Sequence, residues 1–306
     1  MQKSDSATYY YETGLKSQGP SKMAEAIAIH RLAESAKPED ERICYDPYAV
    51  HFISPEILEF RAKNPEKAKA LSEHYERLFS GFDNSVRARV RYFDDAVKAY
   101  LNNGLKQLVI LGAGYDTRAY RIEGLKEKVK VFEVDHPATQ SLKKEKIKKI
   151  FGVLPEHVVY VPADFEVEKL GQRLRKMGYD SSKKTLFLME GFVMYIPPKA
   201  VDETLSFIVN NSAKGSAVLF DYFPQSVVDG TCESDDGKNI RKFAAERGEP
   251  LQFGIVDGGV DAFLSQRRFS KIKNVTSEDY KKAYFHGANK DRTVCSLMSF
   301  AHAIVK

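Results

Sequence analysis

The spacing of hydrophobic residues changes near residue 105. Before that point apolar positions recur at helical intervals; beyond it, short apolar runs alternate with amphipathic segments. In the first part, Met23, Ile27 and Leu32 with Ala24 and Ala28 predict a helix ending before Pro38. Residues 55–63 and 65–79 predict two more, each opening on a proline. The segment 85–103 is strongly amphipathic, with Val86, Val90, Phe93, Val97 and Leu101 on one stripe and Gly104 as its stop. Strands are predicted over 107–111, 129–134, 158–163, 184–189 and 216–223, and helices over 116–122, 137–151, 166–178 and 197–213. Alternation of this kind specifies a doubly wound α/β sheet. After residue 223 the pattern loosens into a polar stretch, 229–237, then a helix over 239–247. Two late strands near 268–275 and 293–304 would complete the sheet.

The junction of the first strand and its helix carries the strongest chemical signal. The apolar run 107–111 stops at Gly112, and Gly114 follows one residue later, so the chain can turn sharply and a ligand can press against bare backbone. A dinucleotide fingerprint wants glycine or alanine three residues after the second glycine, where the pyrophosphate meets the helix N-terminus. Here Thr117 holds that place, preceded by Asp116. A carboxylate there repels a pyrophosphate and suits a ligand bearing an ammonium and a sulfonium, which favours S-adenosylmethionine over NAD. Asp135, at the end of the second strand and roughly 20 residues past the glycines, stands where an acid accepts hydrogen bonds from ribose hydroxyls. The plainer alternative is a tight turn and a strand end.

Counting about 100° per residue along the 85–103 helix puts Arg89 beside the apolar stripe, with Arg87 and Arg91 pointing away. A partly buried arginine one loop from the glycine turn can clamp a carboxylate with both prongs of its fork. An ion pair inside the helical region, to Asp94 or Glu76, is the competing use.

Composition narrows the class. The 306 residues are 43% hydrophobic and 29% charged, as in ordinary globular proteins. No apolar run approaches a membrane span and the N-terminus is polar, so a cytoplasmic location without a membrane partner is expected. Cys44, Cys232 and Cys295 lack metal-ligand spacing, and the seven histidines form no His-x-x-x-His pair, so no metal is expected. The net charge of +5 owes much to Lys143, Lys144, Lys146, Lys148 and Lys149, read as a mainly solvated helix face instead of a nucleic-acid patch.

Several segments, in order, resemble the leucine carboxyl methyltransferase-like branch of class I S-adenosylmethionine-dependent methyltransferases. They are His-Arg-Leu-Ala-Glu-Ser at 30–35, Asp-Pro-Tyr-Ala at 46–49, Arg-Val-Arg-Tyr-Phe-Asp-Asp at 89–95 and Leu-Gly-Ala-Gly-Tyr-Asp-Thr-Arg-Ala-Tyr-Arg at 111–121. Phe-Glu-Val-Asp-His-Pro at 132–137, Ala-Asp-Phe at 163–165, Glu-Gly-Phe-Val-Met-Tyr at 190–195 and Gly-Glu-Pro-Leu-Gln-Phe-Gly at 248–254 follow. The resemblance implies a Rossmann-like methyltransferase sheet over 105–306, mostly parallel with the last strand antiparallel, a helical cap over 1–104 and a lid-like insertion at 224–266. It also implies that Arg89, with Arg31 as a second contact, holds the methionine carboxylate. Gly112, Ala113 and Gly114 give the backbone approach, Asp116 helps hold the cationic methionine end or caps the next helix, Asp135 binds the ribose, and Asp164 and Phe165 meet the adenine. Glu190 and Tyr195 follow the fourth strand at the rim where the methyl group emerges, and they are the candidate catalytic pair. Their alternative is a strand-end carboxylate paired with a basic neighbour and a tyrosine closing the core. Asp46 with Pro47 and Tyr48 reads as a turn. The expected activity is O-methyl transfer to a carboxylate or hydroxyl of a small metabolite. A protein C-terminal carboxylate is the alternative acceptor, and a nicotinamide-dependent oxidoreductase the remote one.

Overall fold

A computed structural model describes residues 20–164 and 170–306. The first region is helical: α1 (Lys22–Ser35), α2 (Pro55–Lys63), α3 (Pro65–Leu78) and α4 (Phe82–Asn102). Ser21 opens α1 by accepting from the Ala24 amide, and α2 and α3 both begin on proline, whose missing N–H costs nothing in a first turn. From β1 (Gln107–Leu111) the alternation begins: α5 (Arg118–Arg121), α6 (Leu125–Lys128), β2 (Lys130–Asp135), α7 (Pro137–Phe151), β3 (Val158–Pro162), α8 (Leu170–Lys176), β4 (Thr185–Met189), α9 (Pro198–Asn210) and β5 (Ala217–Tyr222). Then come α10 (Gln225–Asp229), α11 (Asp235–Glu246), α12 (Val260–Gln266), β6 (Phe269–Val275), α13 (Ser277–Tyr284) and β7 (Ser299–Val305).

Seven strands form one sheet in the order β3-β2-β1-β4-β5-β7-β6. The first five run parallel, and β7 lies antiparallel to both β5 and β6. Alternate side chains feed two cores. Leu108, Ile110, Leu186 and Leu188 meet Val86, Phe93 and Val97 of α4 on one face. On the other, Val109, Leu111, Phe187 and Met189 lie with Leu205 and Ile208 of α9 and Leu264 of α12.

Several boundaries differ from the expectations. The helix expected over 116–122 shortens to α5 because Asp116 spends its amide on the Ala113 carbonyl and a carboxylate oxygen on the Arg118 amide. The second helix of the insertion starts at Asp235, since the Ser234 side chain caps it by accepting from the Gly237 amide. The strand expected from 293 starts at Ser299. Upstream of it, the Cys295 amide donates to Ser85 Oγ and the Thr293 carbonyl accepts from Asn84, so that stretch crosses the start of α4 instead of the sheet edge. Lys143 does not join the solvated face of α7. It is 1% exposed and reaches Glu133 Oε2 on β2 at 2.8 Å, with the Ala113 carbonyl at 3.5 Å. The early part of the helix expected over 166–178 lies outside the described residues.

Glu34 ties the helical region to the later chain. Both its oxygens accept from Arg292 at 2.8 Å, Oε1 also accepts from the Ile43 amide, and Oε2 lies 3.1 Å from Arg87 Nε. Arg87, expected to point away, is therefore part of this join. Burial pushes the Glu34 carboxyl up, but Arg292, the Ile43 amide and Arg87 outweigh it and hold it at about 2. A folded value below the unfolded one means that the unfolded chain binds more protons in acid. The stabilisation is complete above the ordinary carboxyl range and disappears as pH falls through about 2. Glu34→Gln should cost about 2 kcal/mol in urea unfolding at pH 7, and the gap from the parent protein should narrow at pH 3. An equal gap at both values would separate the network from Glu34 ionisation.

Candidate active site

The carboxyl ends of the five parallel strands open on a cavity of 540 Å³. Such a crevice, where strand order reverses between β1 and β4, is the binding position of doubly wound folds. Arg31 and Arg89 reach it from the helical region, and Gly112, Ala113, Gly114 and Asp116 from the turn after β1. Asp135 follows from the end of β2, Asp164 from beyond β3, and Glu190 and Tyr195 from beyond β4. Phe165 lies outside the described residues.

The turn is tightly enclosed. Gly112 has φ 65° and Gly114 φ 41°; a Cβ on Gly112 would lie 2.5 Å from the Phe192 ring, and one on Gly114 3.2 Å from Ala24 Cβ on α1. Asp135 Oδ2 accepts from the Gly114 amide and Oδ1 from the His136 amide. Burial raises the Asp135 carboxyl above its usual value against the pull of those amides. The Gly114 amide, which a pyrophosphate would need, is thus already given to a carboxylate. A ligand that brings ribose hydroxyls and no phosphate fits this arrangement, because each Asp135 oxygen retains a lone pair.

Beside the turn runs a buried chain of alternating charges. Arg89, 4% exposed, donates from Nε to Glu190 Oε1 at 3.1 Å and from Nη1 to Asp221 Oδ2 at 2.6 Å. Arg118 donates to Glu190 Oε2, to Asp116 Oδ2 at 2.6 Å and to Asp94 Oδ1 at 2.7 Å, and Arg121 forms a two-pronged pair with Asp94. Burial pushes Asp116 up, but Arg118 and Lys143 lead the groups that bring it down to about 2. Gly191, at φ 60°, lets the Arg89 guanidinium lie against the backbone, where a Cβ would come within 3.4 Å of it.

Arg89 is buried as the helical count places it, yet neither Asp94 nor Glu76 is its partner: Asp94 holds Arg118 and Arg121, while Glu76 accepts from the Gly81 amide. Glu190 has basic neighbours on both oxygens. Arg31 donates to Asp46 at 2.8 Å and to the Tyr115 carbonyl at 2.6 Å, so Asp46 both shapes its turn, accepting from the Tyr48 amide, and anchors α1. Asp116 both pairs with Arg118 and accepts from its amide. Sequence reasoning missed Arg118 and Asp221. The available signal for Asp221 was a lone carboxylate in the otherwise apolar run 217–222. It also missed Glu249, which lines the cavity from the insertion.

Among the described residues no cluster of side chains suits a metal ion, and no helix is long and apolar enough to cross a membrane. The seven-stranded sheet and the turn with its strand-end acid define a class I S-adenosyl-L-methionine-dependent methyltransferase. A family model described as leucine carboxyl methyltransferase matches residues 24–209, and the chain belongs to that family. A Bacillus subtilis (strain 168) relative, named Putative S-adenosyl-L-methionine-dependent methyltransferase YktD, is 28% identical over 84% of this chain and 83% of its own. A Mycolicibacterium vanbaalenii protein of the same description is 33% identical over 70% of this chain and 68% of its own. The fold is shared with a putative methyltransferase from Thermobifida fusca YX (TM-score 0.58, 14% identity, 79% of this chain and 89% of that one). It is shared also with a duf574 family protein from Streptomyces avermitilis (TM-score 0.54, 12% identity, 92% and 97%). The cofactor is S-adenosyl-L-methionine.

Because Arg89 neutralises the fully buried Asp221, its removal strands a charge. Arg89→Ala should lower the stability of the cofactor-free protein by about 3 to 5 kcal/mol. Arg91→Ala, which removes an exposed pair with Asp95 and a 3.3 Å contact to the Ile43 carbonyl but strands no buried charge, should cost less than about 1 kcal/mol. Denaturant titration of the two variants checks this; equal losses would mean that the Arg89 pairs carry no special weight.

Proposed function

We propose that the protein transfers a methyl group to an oxygen of a small metabolite, a carboxylate or a hydroxyl, with the candidate residues in the roles that the sequence suggests. When bound, S-adenosyl-L-methionine supplies a methyl group on a positively charged sulfur. The ribose hydroxyls donate to Asp135, and Gly112, Ala113 and Gly114 allow close backbone approach. Asp164 meets the adenine, a role that the family resemblance gives also to Phe165, outside the described residues. Arg89 Nη2, the guanidinium nitrogen engaged by neither Glu190 nor Asp221, takes the methionine carboxylate, and Arg31 lies further along the same wall. Asp116 and Glu190 face the methionine ammonium.

The observation that carries the small-acceptor reading is the remaining wall of the cavity. Met23, Ile27 and Phe82 from the helical region and Phe223 and Met298 from the later chain line it with apolar surface. That surface can exclude water and align an acceptor of modest size, and positioning of two reactants supplies up to about 7 to 11 kcal/mol of a transfer barrier. Both Glu190 oxygens are already bound to guanidiniums, which suits it to holding charge in place. Burial raises the Tyr195 hydroxyl above its ordinary value, so it stays protonated and can donate a hydrogen bond to the acceptor. A carboxylate acceptor needs no base; a hydroxyl acceptor gives up its proton to Glu190, directly or with Tyr195 acting through it.

Two measurements test this reading. Incubation with methyl-labelled cofactor and a fractionated cell extract should put label into the small-molecule fraction; label in protein alone would overturn the metabolite assignment. Alkali then separates the two oxygen acceptors, because methyl esters release labelled methanol and ethers do not. In thermal melts, S-adenosylmethionine or its demethylated product should raise the melting temperature while NAD and NADP should not. Asp135→Ala should weaken cofactor binding by about 1.5 to 3 kcal/mol in calorimetry; unchanged affinity would remove Asp135 from the site.

A further inference from the structure

Each acidic side chain of the charge chain around the cavity has a fixed partner, while Glu249 has none of that kind. Asp116 and Glu190 are held by guanidiniums and Asp135 by two backbone amides. Glu249 is half-buried, lines the same cavity, and takes part in no ion pair among the described residues. The groups that act on it electrostatically are the Asp135 carboxylate and the Tyr195 hydroxyl, neither of which supplies a positive charge.

Its placement is not that of a loose surface side chain. Three residues on, the Gln252 amide donates to the Met194 carbonyl at 2.8 Å and the Gln252 side chain to the Tyr195 carbonyl at 2.7 Å. Further along, the Ile255 amide donates to the Phe223 carbonyl and the Gln225 amide to the Ile255 carbonyl. Upstream, the Glu249 amide closes back on the Ala244 carbonyl at the end of α11. The insertion is thereby fastened to the turn that carries Tyr195, with Glu249 held over the cavity. Burial first, and the Asp135 charge second, push its carboxyl up, and a cation bound beside it would bring it back down.

We propose that Glu249 supplies the counter-charge to the sulfonium of the methyl donor, so that the site holds the charged cofactor more tightly than its neutral, demethylated product. This rests on the cofactor assignment above. Sulfur is cationic before transfer; as the new O–C bond forms, the C–S bond breaks, its electron pair remains on sulfur and the thioether left behind is neutral. Glu249 then loses its partner, and release of the product is favoured.

The test is calorimetric titration of the full chain with S-adenosylmethionine, S-adenosylhomocysteine and sinefungin, whose ammonium stands in for the sulfonium. Glu249→Gln should weaken the two cationic ligands about tenfold and change S-adenosylhomocysteine by less than about twofold. Glu249→Lys should weaken the cationic pair further and again spare the neutral product, whose retained affinity shows that the variant is folded. Equal loss for all three ligands would assign Glu249 a merely structural part in the insertion, and no loss for any would remove it from the site; either result overturns the proposal. If the parent protein bound none of the three, the cofactor assignment itself would fail, a result distinct from both.

Discussion

A charge taken out of water must be matched, and the architecture around the site follows from how this chain matches its own. Arg89, Glu190, Arg118, Asp94 and Arg121 alternate in sign along one continuous path, and Asp221 flanks its start by pairing with Arg89. The path begins on α4, touches the ends of β4 and β5, and finishes on α5 beyond the glycine turn. No member can shift far without stranding its neighbour in a low-dielectric interior. Helix, strand ends and turn are therefore held in one geometry by electrostatics that hydrophobic packing alone, being non-directional, would not supply.

The helical region and the sheet are also joined by Glu34 with Arg292 and Arg87, and by Asn84 and Ser85 with the stretch preceding β7. These joins fix the helical region, whose Met23, Ile27 and Phe82 line the cavity, against the later chain, which contributes Phe223 and Met298 to the same wall. That apolar wall is assembled from residues far apart in sequence, so no single motif along the chain discloses it.

Much of the sheet was legible because periodicity is a local property. The bounds of β1 and α2 match the hydrophobic pattern, and the glycine turn with Asp135 is visible because only certain residues permit a left-handed turn against a neighbouring ring. Illegible features depend on distant partners. Lys143 looks like its solvated neighbours on α7 until Glu133 is seen to face it across the helix–strand interface. Asp221 reads as an interruption of an apolar strand until Arg89, 132 residues away, is placed against it. The stretch before β7 carries strand-like residues but gives its backbone groups to α4. Short helices such as α12 and α13 escape because one or two turns hold too few apolar positions to establish a period; the Thr276–Asp279 capping box is the local signal for α13.

The sheet order places β7 between β5 and β6, although β6 precedes it in sequence. Within the sheet, β6 has β7 as its neighbour, so the register of β6 cannot be established before a later segment of polypeptide has docked on β5. During synthesis on the ribosome, the seven residues of β6 must therefore wait, with their backbone donors and acceptors solvated, until β7 has emerged. A frameshift between them would remove two strands from the sheet, not one, and would leave β5, the last of the five parallel strands, as an open edge.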